Sequence, residues 1–369
     1  MDFKRLQDFY RGKTVLVTGH TGFKGSWLSW TLLMMGAKVV GVALPARTDK
    51  DIFVLTGLQK YVEHHEFDIR NFERLTGLVS VVKPDVVFHL AAQPLVRQSY
   101  EEPLSTFTTN IIGTTNILEA LRLAGGVKAA VIVTTDKVYE NHESFYGYRE
   151  TDQLGGHDPY SGSKAAADIV IDSYRRSFFA PEEYNETHNT LVATARAGNV
   201  IGGGDWSPSR LVPDIMRAVL LGDRVVTLRN PKSIRPWEHV LESVSAYLTL
   251  GANLGEGKQS IAGNWNFGPS YDSFVSVGDV VEKTLKFIGD GVLAIKEDSS
   301  RHETNELVLD VTKARRLLGW QSKWDIDKTL QTTALWYRSV HDDPASALAV
   351  TKRQIEEYFG IENIEKKSL

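Results

Sequence analysis

The chain of 369 residues contains no cysteine, which excludes disulfide bonds, thiolate nucleophiles and cysteine-ligated metal sites. Its ten histidines show no metal-ligand spacing, so no metal site is expected. Long apolar runs are missing as well: no segment approaches the length of a membrane span, and residues 1–12 lack the apolar stretch of a signal peptide. These absences predict a cytoplasmic protein without a membrane segment.

An excess of charge of one sign is also missing. The formal net charge is -4, and lysine and arginine are spread along the chain instead of forming a block. Both observations argue against nucleic-acid binding, although a few local cations suffice for a small anionic ligand. What the chain does have is 42% apolar and 24% charged residues, the composition of an ordinary globular protein with a large core.

Short apolar segments alternate along the chain with amphipathic ones. The apolar segments, which predict strands, are residues 13–18, 38–43, 61–66, 85–90, 129–134 and 190–196. The amphipathic segments, which predict helices, are residues 25–35, 71–82, 103–124 and 159–179. Continuous apolar strands between amphipathic helices indicate a parallel sheet covered on both faces. The sequence therefore predicts the α/β class, with a Rossmann-type doubly wound parallel sheet.

From residue 201 onward the density of glycine, proline, tryptophan and arginine rises. Loop-rich segments of this kind commonly build a substrate site. We therefore expect residues 1–200 to form mainly the dinucleotide-binding Rossmann domain. Residues 201–369 are expected to form mainly a smaller, C-terminal substrate-binding lobe, with some segments returning to the first domain and a solvated helix and tail over 352–369.

Three glycines, Gly19, Gly22 and Gly25, lie between the first predicted strand and the first predicted helix. Glycine permits a tight turn there and lets backbone N–H groups approach a dinucleotide pyrophosphate, which also sits on the positive end of the helix. The spacing is Gly-x-x-Gly-x-x-Gly, and its place after the first strand of a doubly wound pattern is what favours a nucleotide site. The residues of this turn expected at the cofactor are Gly19, Thr21, Gly22, Phe23, Lys24 and Gly25.

The residues after the second and third strands leave the choice between NAD and NADP open. An acidic residue after the second strand would hold the ribose hydroxyls of NAD, but residues 44–48 contain no carboxylate, and Arg47 is suited to a 2′-phosphate. Asp68 follows the third strand, where its carboxylate either accepts from the adenine amino group or caps the helix that begins near Asn71.

Tyr160 and Lys164 are four residues apart at the start of a predicted helix, so their side chains lie on one face. Asp158 is the expected N-cap of this helix and Pro159 its first residue. A phenol normally loses its proton near pH 10, so a tyrosine base needs a lowered pKa. We expect Lys164, the nicotinamide charge and the helix N-terminus to lower it.

Thr135, Asp136 and Lys137 follow the predicted strand 129–134, at the edge where doubly wound sheets bind ligands. The Thr135 hydroxyl is suited to a hydrogen bond with a reacting hydroxyl group. Asp136 and Lys137 add an acid/base pair at the same edge, although a turn or cap carboxylate is an equally good interpretation of Asp136 alone.

Taken together, the glycine turn, residues 89–92 (His-Leu-Ala-Ala), Thr135, and Tyr160 with Lys164 resemble the extended short-chain dehydrogenase/reductases. The resemblance covers about residues 10–345. Within that family, Thr135 and Asp136 followed by another ionisable residue are similar to the nucleotide-sugar 4,6-dehydratases. Residues 19–25 and 135–137 are most similar to the members of that group that act on CDP-glucose.

The resemblance implies an NAD-dependent hydro-lyase of deoxysugar biosynthesis, of the kind that supplies O-antigen and lipopolysaccharide sugars. Tyr160 would take the proton of O4 during oxidation at C4, Asp136 would protonate the departing C6 oxygen, and hydride would return to C6. Hexose dehydratases commonly have glutamate at position 137 as the C5 base. Lys137 could replace it only with a lowered pKa. The further cofactor contacts implied are Asp68, Ile69, Leu90, Ala91, Ala92, Tyr160 and Lys164.

The second half is then expected to hold a nucleoside diphosphate, since guanidinium groups grip phosphate oxygens well. The expected substrate residues are Gln93, Asn199, Arg210, Arg235 and Arg301. The helices 103–124 and 160–179 look like the pair that family members bury in a bundle, which implies a homodimer or homotetramer. The alternatives are a nucleotide-sugar 4-epimerase or reductase, which needs no acid for O6, and a non-catalytic NAD-binding protein.

Overall fold

The computed structural model describes residues 3–144, 146–228, 230–270, 273–295 and 307–361. The strands are β1 (Thr14–Thr18), β2 (Lys38–Ala43), β3 (Glu63–Glu66), β4 (Val86–His89), β5 (Ala129–Val133), β6 (Leu191–Ala197), β7 (Asn199–Ile201), β8 (Val225–Leu228), β9 (Ile234–His239), β10 (Asn264–Phe267), β11 (Phe274–Ser276) and β12 (Val292–Ile295). The helices are α1 (Phe3–Tyr10), α2 (Phe23–Met34), α3 (Ile52–Leu55), α4 (Phe72–Val82), α5 (Val96–Glu101), α6 (Pro103–Phe107), α7 (Gly113–Ala124), α8 (Pro159–Ser177), α9 (Leu211–Met216), α10 (Val240–Gly255), α11 (Val277–Ile288), α12 (Ile326–Asp342) and α13 (Ala347–Phe359).

Seven parallel strands form the central sheet, in the order β10-β6-β5-β4-β1-β2-β3. Successive residues of a strand point to opposite faces. Val15 and Val17 therefore join the apolar cluster that includes α2 and α10, whereas Leu16 joins the cluster beneath α4, α7 and α8. Burial on both faces explains the continuous apolar strands and confirms the predicted doubly wound α/β fold.

The predicted elements differ from the structure mainly at their ends. The helix predicted over 103–124 is interrupted by a wide turn at Thr108–Ile112, which separates α6 from α7. The strand predicted over 61–66 begins only at Glu63. The seventh strand, β10, comes from the second half of the chain and was not predicted. The division near residue 200 stays a prediction.

The rest of the second half forms two small sheets, β11-β9-β7 and β12-β8, together with α11 and α12. The helix α13 packs onto the core through Ile355, Tyr358 and Phe359, so the expectation that residues 352–359 are solvated is wrong. The apolar residues of this segment recur at helical spacing and form one buried face, while its charged residues occupy the other face. Among the described residues, every helix is too short or too polar to cross a membrane.

Candidate active site

The glycine turn between β1 and α2 is shaped by two close backbone approaches. Gly19 has a φ of +78°, in the left-handed region, and a Cβ on it would lie 2.7 Å from the backbone nitrogen of Ala91. A Cβ on Gly25 would lie 2.1 Å from the carbonyl oxygen of Gly19. The Gly22 N–H donates to that same oxygen at 3.0 Å. Only glycine fits at positions 19 and 25 without a backbone shift.

The segment after β4 lies beside this turn and is tied to it through Thr18. The Thr18 hydroxyl oxygen accepts from the N–H groups of Leu90 and Ala91, each at 3.2 Å, and lies 2.7 Å from Nδ1 of the buried His89. Residues 90–92, which were expected at the cofactor, are therefore held against the glycine turn. The two segments lie side by side because each follows one of two adjacent parallel strands, β1 and β4.

The remaining expected cofactor residues line the same sheet edge. Thr21 donates to the carbonyl of Leu44, at the end of β2, at 2.9 Å. The Asp68 carboxylate is held by the side chain and N–H of Arg70, and this pair lowers the pKa of Asp68 although partial burial opposes it. Asn71 caps α4 with its own side chain, so the capping alternative for Asp68 is wrong.

Ile69 is buried against Gly113: a Cβ on Gly113 would lie 2.4 Å from Cδ1 of Ile69. Phe23 packs beside Gly202. Arg47 is exposed after β2 and donates to Gln98 at 3.4 Å. The contacts of Arg47 within the described residues therefore do not indicate a 2′-phosphate site.

Tyr160 and Lys164 lie on the first turns of α8, as predicted. Asp158 caps this helix by accepting from the Ser161 N–H at 3.0 Å, and Pro159 is its first residue. Both functional side chains are buried, and the Lys164 ammonium donates to the carbonyl oxygen of Val133, the last residue of β5, at 2.9 Å. This bond brings α8 and the end of β5 together at one site.

Burial raises the pKa of Tyr160 to about 12, while the nearby Thr135 hydroxyl and the charge of Arg210 oppose the rise. The lowering expected from the nicotinamide charge stays a prediction. Burial lowers the pKa of Lys164 to about 8, and the Asp168 carboxylate one turn later opposes that change. Desolvation of the charged forms outweighs the nearby partners in both cases.

The turn after β5 connects Tyr160 to a second acid. The Thr135 hydroxyl donates to Oδ1 of Asp136 at 2.9 Å, and the charge of Asp136 acts on Tyr160. Asp136 is buried, and burial raises its pKa against the charges of Lys137 and Lys24. Lys137 itself is exposed. A phenol, a hydroxyl group and a buried carboxyl group therefore lie at the carboxyl edge of the sheet.

The expected substrate residues fall into different settings. Both ends of the Gln93 amide are engaged, with Leu95 and Thr106, so a substrate would have to replace one of these bonds. Arg210 pairs with Asp205 at 3.0 Å, and its charge reaches Tyr160. Asn199 and Arg235 lie on the paired strands β7 and β9. Arg301 lies outside the described residues.

Two features of this site were not predicted. The first is the position of the Lys24 ammonium, which points away from the glycine turn toward α10. It donates to the Tyr247 hydroxyl at 3.4 Å, and its charge acts on Asp136. Glu238 on β9 is buried nearby. The sequence contains one signal for it: Glu238 is an acidic residue inside an apolar-looking neighbourhood beside Trp237. A carboxyl group that is buried needs a partner.

Comparison with known proteins agrees with this geometry. The model of the family described as GDP-mannose 4,6 dehydratase matches residues 16–333. The chain is 44% identical to a CDP-glucose 4,6-dehydratase of Salmonella typhimurium, over 96% of this chain and 98% of that protein. It is 27% identical to a UDP-glucose 4-epimerase of Mycolicibacterium smegmatis, over 88% of this chain and 98% of that protein.

Among solved structures, dTDP-glucose 4,6-dehydratase DesIV from Streptomyces venezuelae, determined with NAD bound, has a TM-score of 0.75. The match covers 90% of this chain and 99% of that chain at 24% identity, and supports the fold alone. The family model and the Salmonella relative reach further, because they cover most of the chain. This protein therefore belongs to the GDP-mannose 4,6 dehydratase family, within the extended short-chain dehydrogenase/reductases.

Proposed function

We propose that this protein is an NAD-dependent CDP-glucose 4,6-dehydratase, which converts CDP-D-glucose to CDP-4-dehydro-6-deoxy-D-glucose and water. The observation that carries the proposal is the buried Asp136 carboxyl group, which accepts from the Thr135 hydroxyl at 2.9 Å and is close enough to Tyr160 for its charge to act on the phenol. The high identity with the Salmonella enzyme over nearly the whole chain supports the CDP-linked substrate.

The glycine turn fits the pyrophosphate of NAD. Gly22 is the N-cap of the 12-residue helix α2 and has no side chain to occupy the first N–H groups, which are left for an anion. Gly19 and Gly25 allow the close backbone packing that such a turn requires. Residues 90–92 would border the nicotinamide half, because Thr18 holds them beside the turn.

Bound NAD would accept hydride from C4 and return it to C6, so the cycle has no net redox change. Tyr160 is proposed to receive the O4 proton. Burial opposes ionisation of Tyr160, and the charge of Arg210 favours it. Lys164 joins α8 to β5, which fixes the distance between the base and the sheet edge.

Asp136 is suited to expel the C6 oxygen as water. An acid catalyst has to hold its proton near neutral pH, and burial moves the pKa of Asp136 in that direction. In the elimination the C5–H and C6–O bonds break, a C5–C6 double bond forms, and the Asp136 proton leaves with the hydroxyl group. The C5 proton is proposed to go to Lys137, the residue after that acid, or to a group that Lys137 positions; the exposure of Lys137 favours the second of these.

Three cationic or amide side chains are proposed to hold the nucleoside diphosphate. Arg235 and Asn199 lie on adjacent strands of the small sheet, and Arg210 reaches toward Tyr160 from the loop after β7. Arg210 is paired with Asp205, which orients its guanidinium group. Arg301 belongs to the same proposal on the sequence pattern alone.

We also propose a homodimer or homotetramer and a cytoplasmic location. Large apolar side chains are exposed along α6, α7 and α8; they are Leu104, Phe107, Ile112, Leu123, Ile169 and Phe178. Exposed apolar side chains on and beside neighbouring helices are typical of a subunit interface. Leu104→Glu should reduce the mass measured by analytical ultracentrifugation to that of one chain.

The test is a panel of CDP-, dTDP-, GDP- and UDP-glucose with the purified protein in deuterated water. We expect CDP-glucose to give the 4-keto-6-deoxy sugar, with solvent deuterium at C5. The variant Asp136→Asn serves as the control, since it should slow water loss. A C4 epimer as the only product would contradict the proposal, and preference for another nucleotide would contradict its CDP part.

A further inference from the structure

Gly198 is the single residue between β6, which belongs to the central sheet, and β7, which belongs to a small sheet. Its φ is not positive, so the left-handed backbone conformation that usually demands glycine is absent here. The reason for a glycine at this position must therefore lie in what surrounds it.

A side chain at position 198 would meet Asp136 before anything else. A Cβ on Gly198 would lie 2.8 Å from Oδ2, 3.3 Å from Cγ and 3.8 Å from Cβ of Asp136, and these are its nearest atoms beyond residues 197–199. The closeness follows from the pairing of β5 with β6, where the Thr134 N–H donates to the carbonyl oxygen of Ala195 at 2.9 Å. The turn that carries Asp136 therefore lies against the end of β6.

The oxygen that faces Gly198 is the one suited to hold the proton of the acid. Oδ1 of Asp136 accepts from the Thr135 hydroxyl at 2.9 Å. A carboxyl group that accepts a hydrogen bond through one oxygen can hold its proton on the other. Oδ2 is that other oxygen, so Gly198 borders the donor atom of the proposed acid catalyst.

We propose that Gly198 is a positioning residue for water loss: because it has no side chain, Oδ2 of Asp136 has room to point its proton at the C6 oxygen of the substrate. This role rests on the proposed function, since it concerns the step in which that proton leaves. The O–H bond of Asp136 breaks there as an O–H bond of the departing water forms. Gly198 itself neither gives nor takes a proton.

A methyl group at position 198 should move the acid and leave the fold intact. Ordinary contact begins near 3.4 Å, so the carboxyl group would have to shift by about 0.6 Å from its present 2.8 Å. The atom that must yield is the end of a side chain and not backbone, so the loss of stability is small. Catalytic groups need placement within about 0.5 Å, and a misplacement of about 1 Å costs roughly 10²-fold in rate.

Gly268 provides a matched control. Phe267, at the end of β10, is paired with Ala197, at the end of β6, so Gly268 and Gly198 follow adjacent parallel strands at the same level. The φ of Gly268 is likewise not positive. A Cβ on Gly268 would lie 3.6 Å from Cγ1 of Val311, which is an ordinary contact with an apolar side chain. Gly268→Ala therefore adds the same methyl group at the same sheet edge without touching Asp136.

A single turnover of CDP-glucose separates the two chemical steps. In Gly198→Ala we expect NADH to form at the unsubstituted rate, while water loss slows by about 10- to 10²-fold and NADH accumulates. Gly268→Ala should match the unsubstituted protein in both steps. If glycine at position 198 only made room for the substrate, Gly198→Ala would slow both steps equally, and that result would overturn the proposal. Equal rates of water loss in the two variants would do the same.

A double-mutant cycle with Asp136→Ala tests whether the effect passes through this carboxyl group. Without the carboxyl group a Cβ at position 198 meets only the Cβ of residue 136, at 3.8 Å. Gly198→Ala should then cause no further loss of the residual rate. If Gly198→Ala alone does not fold, the double variant should fold. An additive loss of rate, or a double variant that stays unfolded, contradicts the proposal.

Crystal structures of the two glycine variants without substrate give a measurement that does not depend on turnover. The Asp136 carboxyl group should be displaced in Gly198→Ala and unmoved in Gly268→Ala, with its 2.9 Å distance to the Thr135 hydroxyl as the reference. An unmoved carboxyl group in Gly198→Ala would refute the positioning role. If the carboxyl group moves but the unsubstituted protein does not convert CDP-glucose, the dehydratase proposal fails instead.

Discussion

Asp136 and Asp168 are both buried carboxyl groups near the end of β5, and they have different partners. Asp168 accepts from Nε and Nη2 of Arg196, at 3.0 and 2.8 Å, and from the Thr134 hydroxyl at 3.0 Å. Asp136 accepts from the hydroxyl of the next residue, Thr135, at 2.9 Å and has no such guanidinium pair among the described contacts. Consecutive threonines thus serve two different carboxyl groups.

The difference shows that burial alone does not make a carboxyl group reactive. A bidentate guanidinium pair stabilises the ionised form and fixes its orientation, as at Asp168. Where the partner is a neutral hydroxyl group, desolvation dominates and raises the pKa, as at Asp136. One carboxylate therefore holds β5, β6 and α8 together, whereas burial raises the pKa of the other, as an acid catalyst requires.

The largest expected effect is on catalysis by Asp136→Asn. The amide cannot supply a proton to the C6 oxygen, so water loss should fall about 10²–10⁴-fold. Transfer of hydride from C4 should remain, measured as NADH absorbance in a single turnover. The unfolding free energy at pH 7 should not decrease, because the raised pKa means that ionised Asp136 is disfavoured in the folded state.

Asp168→Asn is the matched change at the other carboxyl group. If it reduced water loss selectively while hydride transfer and stability stayed intact, the distinction between the two carboxyl groups would be wrong.

The next effect in size is on stability, through Asp168→Asn itself. It leaves the guanidinium of Arg196 buried without an ionised partner, so the unfolding free energy should fall by about 3–5 kcal/mol in a denaturant titration. Replacing both partners, in Asp168→Leu with Arg196→Met, should recover most of the loss. A single substitution that costs under ~1 kcal/mol would mean that the pair does not hold the strands together.

Asp168 also acts on the site through Lys164, one turn earlier on α8. The pKa of Lys164 is lowered from 10.5 to about 8, so between those values the unfolded chain binds more protons and stability rises with pH. The shift corresponds to a destabilisation of the folded state by roughly 3 kcal/mol. Substitution of Lys164 removes this destabilisation but also removes the hydrogen bond to Val133, which stabilises by about 1 kcal/mol. Lys164→Met should therefore be on the order of 2 kcal/mol more stable at pH 7.

This gap should close as the pH rises from 8 to 10.5, as followed by unfolding at each pH. A constant difference between the two proteins over that window would show that Lys164 is not desolvated in the folded state.

The parts of the site that the sequence predicts are those whose residues are close along the chain. The cap at Asp158, the pair Tyr160 and Lys164 on one helix face, and the turn at 135–137 after a strand all depend on local geometry. The glycine turn and the parallel sheet follow from the order of strands and helices. These features are therefore visible without the fold.

The parts that were missed join residues far apart in sequence. Lys24 and Tyr247 are 223 residues apart in the sequence, and Arg196 and Asp168 are 28 apart. No local sequence pattern therefore predicts either contact. The burial that raises the pKa of Tyr160 also depends on packing from several elements. Likewise α13 looked solvated, although Tyr358 bonds to Glu242 on α10.

The smallest effects should separate the two threonines. Thr134→Val removes one hydrogen bond from Asp168, which Arg196 still pairs, so it should lower the unfolding free energy by about 0.5–1.5 kcal/mol. Its effect on turnover should be small. Thr135→Val should instead slow turnover at nearly unchanged stability, because it removes the hydroxyl group that donates to Asp136 beside Tyr160. Thr135→Ser should restore most of the rate, since it keeps the hydroxyl group. Similar losses of stability in both valine variants would show that the two carboxyl groups belong to one structural network, and the contrast between them would fail.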